Sequence, residues 1–464
     1  MPQPASRPAP APWRFFAPHR REPFAFFVDR GRGDRPSFAG SRPVGQLVVD
    51  ADGKARCWRD GQWHEEHGDP VDAIAAFVDR DRAEPLRLPA WLEGEALPRT
   101  VGFLAYELGA WADGPRRRDG RAGPGTPLAV LSTYGAFDAW EPRGGRSARV
   151  TFEGAASPSS IPPVAPADSS SWAPTPRAAW RRGFDRVREA IAAGDIYQAN
   201  LSRRAVFDLD VDAGAAYARL REVQPVPWGA FLDFGGFALL SNSPERFLSR
   251  SGDEVVTSPI KGTRPRRDDP ERDDAEAAAL AADPKEAAEH LMIVDLERSD
   301  LGRVARTGSV RVDELARVER FATVHHLVSD VRATLGEGTG LAALLRATFP
   351  GGSITGAPKI RAMEILGEVE QAGRGPYCGA IGFFRGAEEL DLSIAIRTGV
   401  AAGGRLLYQA GGGIVADSDA DREWDETELK VEALRRALGE CDREAGHEDR
   451  ARALPGATEA RSER

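Results

Sequence analysis

Ala230-Phe231-Leu232-Asp233-Phe234-Gly235-Gly236-Phe237-Ala238-Leu239-Leu240-Ser241 is two apolar runs joined by a glycine pair. Glycine supplies the positive φ angles of a tight reversal, so the segment predicts an antiparallel hairpin. Around it, residues 196–248 read as successive antiparallel strands. Residues 378–384, 390–397 and 405–409 form a later strand cluster, and 24–28 and 46–49 are short strand-like stretches. Strands in runs, with helices between and after them, predict an α+β fold with antiparallel sheets rather than a doubly wound parallel one.

The 464 residues are 41% hydrophobic and 29% charged, ordinary for a soluble globular chain. A net charge of −9 argues against a general nucleic-acid or membrane-surface role. No apolar run approaches the roughly 18 residues that span a bilayer. The Pro/Ala-rich start lacks the apolar core of a signal peptide, so the chain reads as cytoplasmic. Cys57, Cys378 and Cys441 are scattered and form no disulfide framework or metal pattern. Composition divides the chain into a disordered leader at 1–12, an N-terminal region at 13–156, a Ser/Pro linker at 157–176, a second region at 177–438 and a charged tail at 439–464. Trp180, Phe184, Val187 and Ile191 recur at helical spacing just after the linker, and Gly194 stops that helix.

Two later helices are acidic. Asp283-Pro284-Lys285-Glu286 reads as a capping box, and four consecutive apolar residues, Leu291 to Val294, predict burial on several sides, which puts Glu289 and Asp295 at risk of burial. An ion pair with arginine and a metal ligand are both open for Glu289. In Asp421–Lys430 the core stripe runs through Trp424 and Thr427 to Val431, Leu434 and Leu438, while Glu423, Glu426 and Lys430 share the adjacent face. That face is either a solvated one with a Glu426–Lys430 pair, or two carboxylates for a hard cation and an ammonium for an anion. Gly351–Lys359 is a small-residue loop before a helix, and Gly411-Gly412-Gly413 follows a strand and allows close backbone approach. Neither is a P-loop.

Lysine is scarce: only Lys54, Lys261, Lys285, Lys359 and Lys430 stand among 62 basic residues. An amine can be tuned to lose its proton, and a guanidinium cannot. Lys261, in Ser258-Pro259-Ile260-Lys261-Gly262-Thr263, is therefore either a turn lysine or a reactive one.

Nine segments together resemble the chorismate-utilising enzymes, in their aminodeoxychorismate synthase component I branch. They are Tyr197-Gln198-Ala199-Asn200-Leu201, Ser243-Pro244-Glu245-Arg246-Phe247, Pro259-Ile260-Lys261-Gly262-Thr263, Glu289-His290-Leu291-Met292, Val324-His325-His326-Leu327, Gly356-Ala357-Pro358-Lys359, Ile396-Arg397-Thr398, Gly411 to Val415, and Glu423-Trp424-Asp425-Glu426-Thr427. The resemblance spans about residues 180–437, with a weaker stretch at 101–106. It implies an anthranilate synthase component I-like fold: two large antiparallel sheets packed as a sandwich, helices outside, and the site in the C-terminal, chorismate-binding catalytic region.

It also implies roles. Glu289 and Glu426 match Mg²⁺ carboxylates, with Glu423 acting nearby through water. Glu245 matches the acid that protonates the departing 4-hydroxyl, and His326 a histidine near the ring. Tyr377, Arg397, Gly411, Gly413 and Lys430 match positions that hold the carboxylates of chorismate, and Thr355 and Gly356 the substrate loop. Anthranilate synthases have alanine where this chain has Lys261, so the resemblance implies amination at C4 through a covalent lysine intermediate, giving 4-amino-4-deoxychorismate on the way to 4-aminobenzoate and folate. Gln198 stands where isochorismate synthases carry a water-activating lysine. Ser37 and Pro225, with Trp228 replacing a tyrosine, resemble the family's tryptophan pocket. Ser299 replaces an asparagine, and 417–421 lacks the proline usual before the last acidic helix.

No cysteine lies in a glutaminase context, so ammonia is expected free in solution or from a partner glutaminase. No C-terminal lyase segment is evident, so release of the amino-deoxy product is expected. The rival expectations are an anthranilate-type synthase that aminates C2, and a silent partner that only recruits a glutaminase.

Overall fold

The structure, a computed structural model, describes residues 12–30, 35–80, 85, 87–112, 123–142, 144–153, 161–321 and 324–439. The expected leader (apart from Pro12) and the tail beyond Gly439, with Cys441, lie outside them.

The hairpin forms as read: Trp228–Asp233 pairs antiparallel with Ala238–Ser243, and Gly235 takes φ +81°. Its neighbourhood is not all strand. The helix Ala213–Val223 intervenes, started by Asp212, whose carboxylate accepts from the Ala215 N–H at 2.9 Å. An Ala-rich segment behind an Asp cap favours helix over the strand that the surrounding runs suggested.

Among the described residues a ten-stranded and a twelve-stranded sheet are present, every pairing in them antiparallel. Alternation along the strands makes them a sandwich. Phe26, Phe38, Val48, Phe103, Phe383 and Leu407, from both sheets, share one buried cluster between them. Their neighbours Leu47, Val49, Leu104 and Phe384 face the other way, onto helices including Pro70–Arg80 and Leu341–Thr348. The far face of the ten-stranded sheet is covered by Ala213–Val223 and Ala420–Leu438. The expected α+β sandwich with outer helices is the observed one.

The N-terminal and C-terminal regions do not stack as separate layers. Strands Phe26–Asp29 and Ser37–Gly40 join the ten-stranded sheet, and Gly45–Val49 and Thr100–Leu104 join the twelve-stranded one. The described part of the Ser/Pro stretch is no free linker either. Ile161, Val164, Ala167 and Trp172 are buried against the inter-sheet core, and the Val164 N–H donates to Phe234 O at 3.0 Å. Its apolar residues recur every three to five positions, enough to tack a proline-rich strap onto the sandwich.

Two of the short passages between the sheets position the site. Ser243-Pro244-Glu245 connects Ala238–Ser243 in one sheet to Arg246–Ser251 in the other, and Ala395-Ile396-Arg397 connects Glu389–Ile394 back to Thr398–Ala402. They are stitched together: Ile394 N–H donates to Glu245 O at 3.1 Å, and Asn242 N–H donates to Arg397 O at 3.0 Å.

Candidate active site

Lys261 sits in the edge region of the twelve-stranded sheet, where Ile260–Pro265 pairs with Val324–Thr334. Gly262 at φ +68° breaks the register, so Lys261 faces Leu327 while Thr263 faces His326. A side chain on Gly262 would press on Leu280 at 2.8 Å and on Glu286 at 3.2 Å. Lys261 is partly buried, and loss of hydration pulls its ammonium below the ordinary lysine value. Glu245 and Glu289 oppose that shift, Lys430 adds to it, and burial wins.

Glu245 lies behind Lys261 and is 4% exposed. Burial pushes its carboxyl up to about 7, against the Ser353 hydroxyl, the Lys261 charge and the Ile260 N–H, which donates to Glu245 Oε1 at 3.4 Å. Desolvation thus drives both partners toward their neutral forms, an amine beside a carboxylic acid.

The acidic helices meet in front of this pair. Asp283 caps Pro284–Gly302, accepting from the Lys285 and Glu286 N–H groups at 3.0 and 3.3 Å. The reciprocal half of the capping box is absent: the Asp283 N–H donates to Leu280 O, and Glu286 turns toward Gly262. The burial expected on several sides is corrected. Leu291 is 47% exposed, and Asp295 is a surface partner of Arg298 at 2.6 Å. One face of the helix is buried, and Glu289 lies half-buried at its border. Burial raises the Glu289 carboxyl, Lys261 opposes this, and Glu286 adds to it.

On Ala420–Leu438 the expected core stripe holds, with Thr427, Val431, Leu434 and Leu438 buried. Asp419 caps this helix with bonds of 3.1 Å from the Asp421 and Arg422 N–H groups, so the missing proline leaves its start satisfied. Lys430 pairs with Glu426 and donates to Gly411 O at 2.7 Å, so it is more than a solvated partner. Burial pushes Glu426 up, but Lys430, Lys261 and Arg397 outweigh it and the net direction is down. Glu423 is raised by burial, opposed by the Ser418 hydroxyl that donates to it at 2.7 Å.

Gly411 to Gly413 lie inside the strand Arg405–Ile414 rather than after one. A Cβ on Gly412 would stand 3.1 Å from Glu423 Oε2 and 3.8 Å from Glu426 Oε1, so both carboxylates converge over it. One on Gly413 would strike Gln198 at 2.3 Å, and one on Gly411 would lie 3.0 Å from the Tyr377 hydroxyl. Tyr377 is buried beneath that strand. Gly356, φ +153°, packs against Gln198 O, while the Thr355 hydroxyl turns inward to Gly351 O and Gly352 O at 3.1 Å. The Thr355 backbone is engaged as well: its N–H donates to Gly352 O at 3.3 Å, and its carbonyl accepts from the Asn200 N–H at 2.9 Å.

His326 is buried; its Nδ1 lies 2.8 Å from Gly262 O, and desolvation pulls it down to about 4. With Nδ1–H donating there, Nε2 is the acceptor of a neutral ring. Arg397, at φ +52°, has no ion pair or side-chain hydrogen bond among the described residues, yet its charge reaches His326, Glu426 and Tyr408. Lys261 is likewise unpaired. Two free cations in one cleft suit an anionic ligand.

Among the described residues no three metal-ligating side chains already surround one point. The donors are nevertheless all carboxylate oxygens, and Glu286, Glu289 and Glu423 are raised partly by one another and by Glu426. That set fits a hard cation bound by one or two carboxylates with the rest of its shell from water or ligand.

Ser37 begins the strand Ser37–Gly40, and Pro225 lies just before the strand Trp228–Asp233; both strands pair with Phe26–Asp29. Ser37 is buried, with its hydroxyl 3.4 Å from Asp29, and Pro225 is half-buried. Nearby, Trp228 Nε1 and Asn242 Oδ1 are buried without hydrogen-bond partners.

The sequence reading missed Glu286, Glu297 and Ser353. Glu297 recurs with His290, Ile293 and Leu301 at helical spacing, a signal that it belongs to the buried stripe.

The family model of chorismate binding enzymes matches residues 25–436. This chain belongs to that family. It is 48% identical over 255 residues to aminodeoxychorismate synthase component 1 of Escherichia coli (strain K12), covering 55% of this chain and 56% of that protein. It is 38% identical over 396 residues to an anthranilate synthase component 1 of Haloarcula marismortui, covering 76% and 80%. The chain spans about half the length of the aminodeoxychorismate synthase relative it matches. The crystal structure of anthranilate synthase component I from Streptococcus pneumoniae TIGR4 is similar at a TM-score of 0.71 and 28% identity, covering 86% of this chain and 92% of that one. The chorismate binding fold therefore extends through both sheets. No helix among the described residues is long and apolar enough to cross a membrane.

Proposed function

We propose that this chain is an aminodeoxychorismate synthase component that aminates C4 of chorismate through Lys261. The observation that carries the reading is the Lys261–Glu245 pair, in which burial lowers the amine and raises the acid. The neutral Lys261 amine attacks C2. Both ring double bonds shift by one position, and the C4–O bond breaks as the hydroxyl takes the Glu245 proton and leaves as water. Ammonia then attacks C4, both double bonds shift back, and the C2–N bond to Lys261 breaks. The Lys261 nitrogen keeps both its protons in the covalent intermediate and leaves as the neutral amine; the product is 4-amino-4-deoxychorismate, and the one proton that ammonia sheds on becoming its amino group returns to Glu245.

Arg397 and Lys430, with the Tyr377 hydroxyl and the backbone at Gly411, Gly413 and Gly356, hold the substrate carboxylates. His326, neutral, faces the ring. Glu289 and Glu426, with Glu423 through water, would hold Mg²⁺. When bound, the ion supplies Lewis-acid polarisation at a substrate carboxylate. Ammonia comes from solution or from a glutaminase partner. The unpartnered Trp228 indole and Asn242 carbonyl make the Ser37–Pro225 end a candidate for bound tryptophan.

The test is product analysis from chorismate, Mg²⁺ and ammonium, with the unaltered chain and with Lys261→Ala. Undiminished 4-amino product from the variant would sink the covalent route. A second reading, amination at C2, is favoured by the longer match to an anthranilate synthase component 1. Formation of the 2-amino isomer would select it.

A further inference from the structure

The strand Gln198–Asp208 soon loses its partner on one side, because Gly356–Ala357 pairs only with Gln198 and Ala199. Alternate residues of a strand share a side, so Asn200 and Ser202 turn their backbone groups toward this open edge. Buried there, those groups need partners. The Asn200 N–H donates to Thr355 O at 2.9 Å. The next two places on the edge are filled by side chains. Arg374 Nη2 donates to Asn200 O at 2.6 Å, and Glu370 Oε1 accepts from the Ser202 N–H at 2.9 Å and from its hydroxyl at 2.8 Å.

These two side chains are themselves paired. Arg374 Nε donates to Glu370 Oε2 and Nη2 donates to Oε1, each at 2.8 Å. Nη1 donates to Ile354 O at 3.0 Å. One guanidinium therefore holds a carbonyl of the strand and a carbonyl of the turn that leads into Thr355 and Gly356, which a planar fork can do and a compact ammonium cannot. Arg374 is 1% exposed and lies over the Tyr106 ring at 4.5 Å. The N-terminal region steadies it from behind, where Glu107 accepts from the Arg374 N–H at 2.5 Å and from the Gly375 N–H at 3.0 Å. On its other side the same strand pairs Asn200 with Gly413 and Ser202 with Gly411. The ion pair thus fixes the loop on one side of the strand that carries the glycine segment on the other. A buried ion pair adds little stability over apolar side chains of the same size, so what it adds here is position.

We propose that Arg374 and Glu370 are positioning residues for chorismate binding: together they stand in for the missing strand and hold Ile354–Gly356 in place, relative to Gly411–Gly413, before the substrate arrives. The inference rests on the reading of Gly356 and that glycine segment as substrate contacts. With the pair broken, the loop occupies its binding position for only a fraction of the time. Apparent affinity falls by that fraction, while the bound complex reacts as before.

Arg374→Lys keeps the charge and loses the fork. Glu370→Gln keeps an acceptor for Ser202 and loses the charge. Chorismate consumption by the full chain is measured with Mg²⁺ and ammonium, whichever isomer forms, beside calorimetric chorismate binding and a melting curve. In Arg374→Lys, KM and the dissociation constant for chorismate rise about tenfold, with kcat within about twofold and KM for ammonium unchanged. In Glu370→Gln the rise is about threefold. A merely structural role lowers the active fraction, and with it kcat, and leaves KM alone. That outcome, or loss of the fold in both variants, overturns the inference even if the 4-amino product still forms. A raised dissociation constant in a chain that makes the 2-amino isomer, or no amine at all, upholds the positioning role and refutes the reaction at C4.

Discussion

The Glu245 carboxylate accepts at 3.4 Å from the N–H of Ile260, the residue before Lys261. The acid, on the crossover between two strands, is thus tied through one peptide N–H to the strand that carries the amine. That link suits the proposed pairing of a nucleophile with a leaving-group acid at the two ends of one conjugated diene.

Lys261→Ala removes the proposed nucleophile and is expected to leave the strand pairing intact. The 4-amino product is expected to fall by about a thousandfold or more, with thermal stability unchanged or raised. Lys261→Arg, charged at every working pH, is expected to be equally inactive. Chromatographic assay of both variants checks this.

Glu245 and Glu297 make the fold pH-sensitive. A carboxyl raised from 4.5 to about 7 in the folded state binds its proton more tightly folded than unfolded. Its stabilising contribution is full below 4.5 and is lost as pH rises to about 7. Glu245→Gln and Glu297→Gln are therefore each expected to gain up to about 3 kcal/mol over the unaltered chain at pH 8, and little at pH 4. Urea unfolding at the two pH values measures the difference. Glu245→Gln is expected to lose activity in exchange.

The carboxylates around Gly412 are expected to respond to Mg²⁺ without any substrate. Adding the ion at pH 8 should raise the melting temperature, because it binds the folded chain and not the unfolded one. Glu289→Gln and Glu426→Gln should weaken that shift by about tenfold in Mg²⁺ concentration.

Gly356→Ala would place a Cβ 2.2 Å from Gln198 O and 2.7 Å from Ala362, at a φ that disfavours side chains. Backbone cannot yield as a side-chain tip can. The expected loss is about 3 kcal/mol or more in chemical denaturation.

Arg397 has no protein partner to lose among the described residues. Arg397→Lys is expected to leave stability within about 0.5 kcal/mol and raise KM for chorismate about tenfold, because a point charge cannot grip a carboxylate through two parallel bonds. Steady-state kinetics beside a melting curve separates the two effects.

Local chemistry is what the sequence carried by itself. The Gly235-Gly236 hairpin, the Asp283 cap, the Thr427–Leu438 stripe and the scarcity of lysine all follow from the residue and its near neighbours. Torsional freedom, capping and helical period act over only a few residues. Tertiary structure decided whatever depends on partners far along the chain. It showed 161–176 to be a strap and not a linker, placed the three glycines inside a strand, exposed Leu291 and buried Glu297 instead of Asp295. Burial belongs to the packed sandwich and not to a segment, and it alone turns Lys261 and Glu245 from an ordinary ion pair into an amine and an acid that both lean toward neutrality.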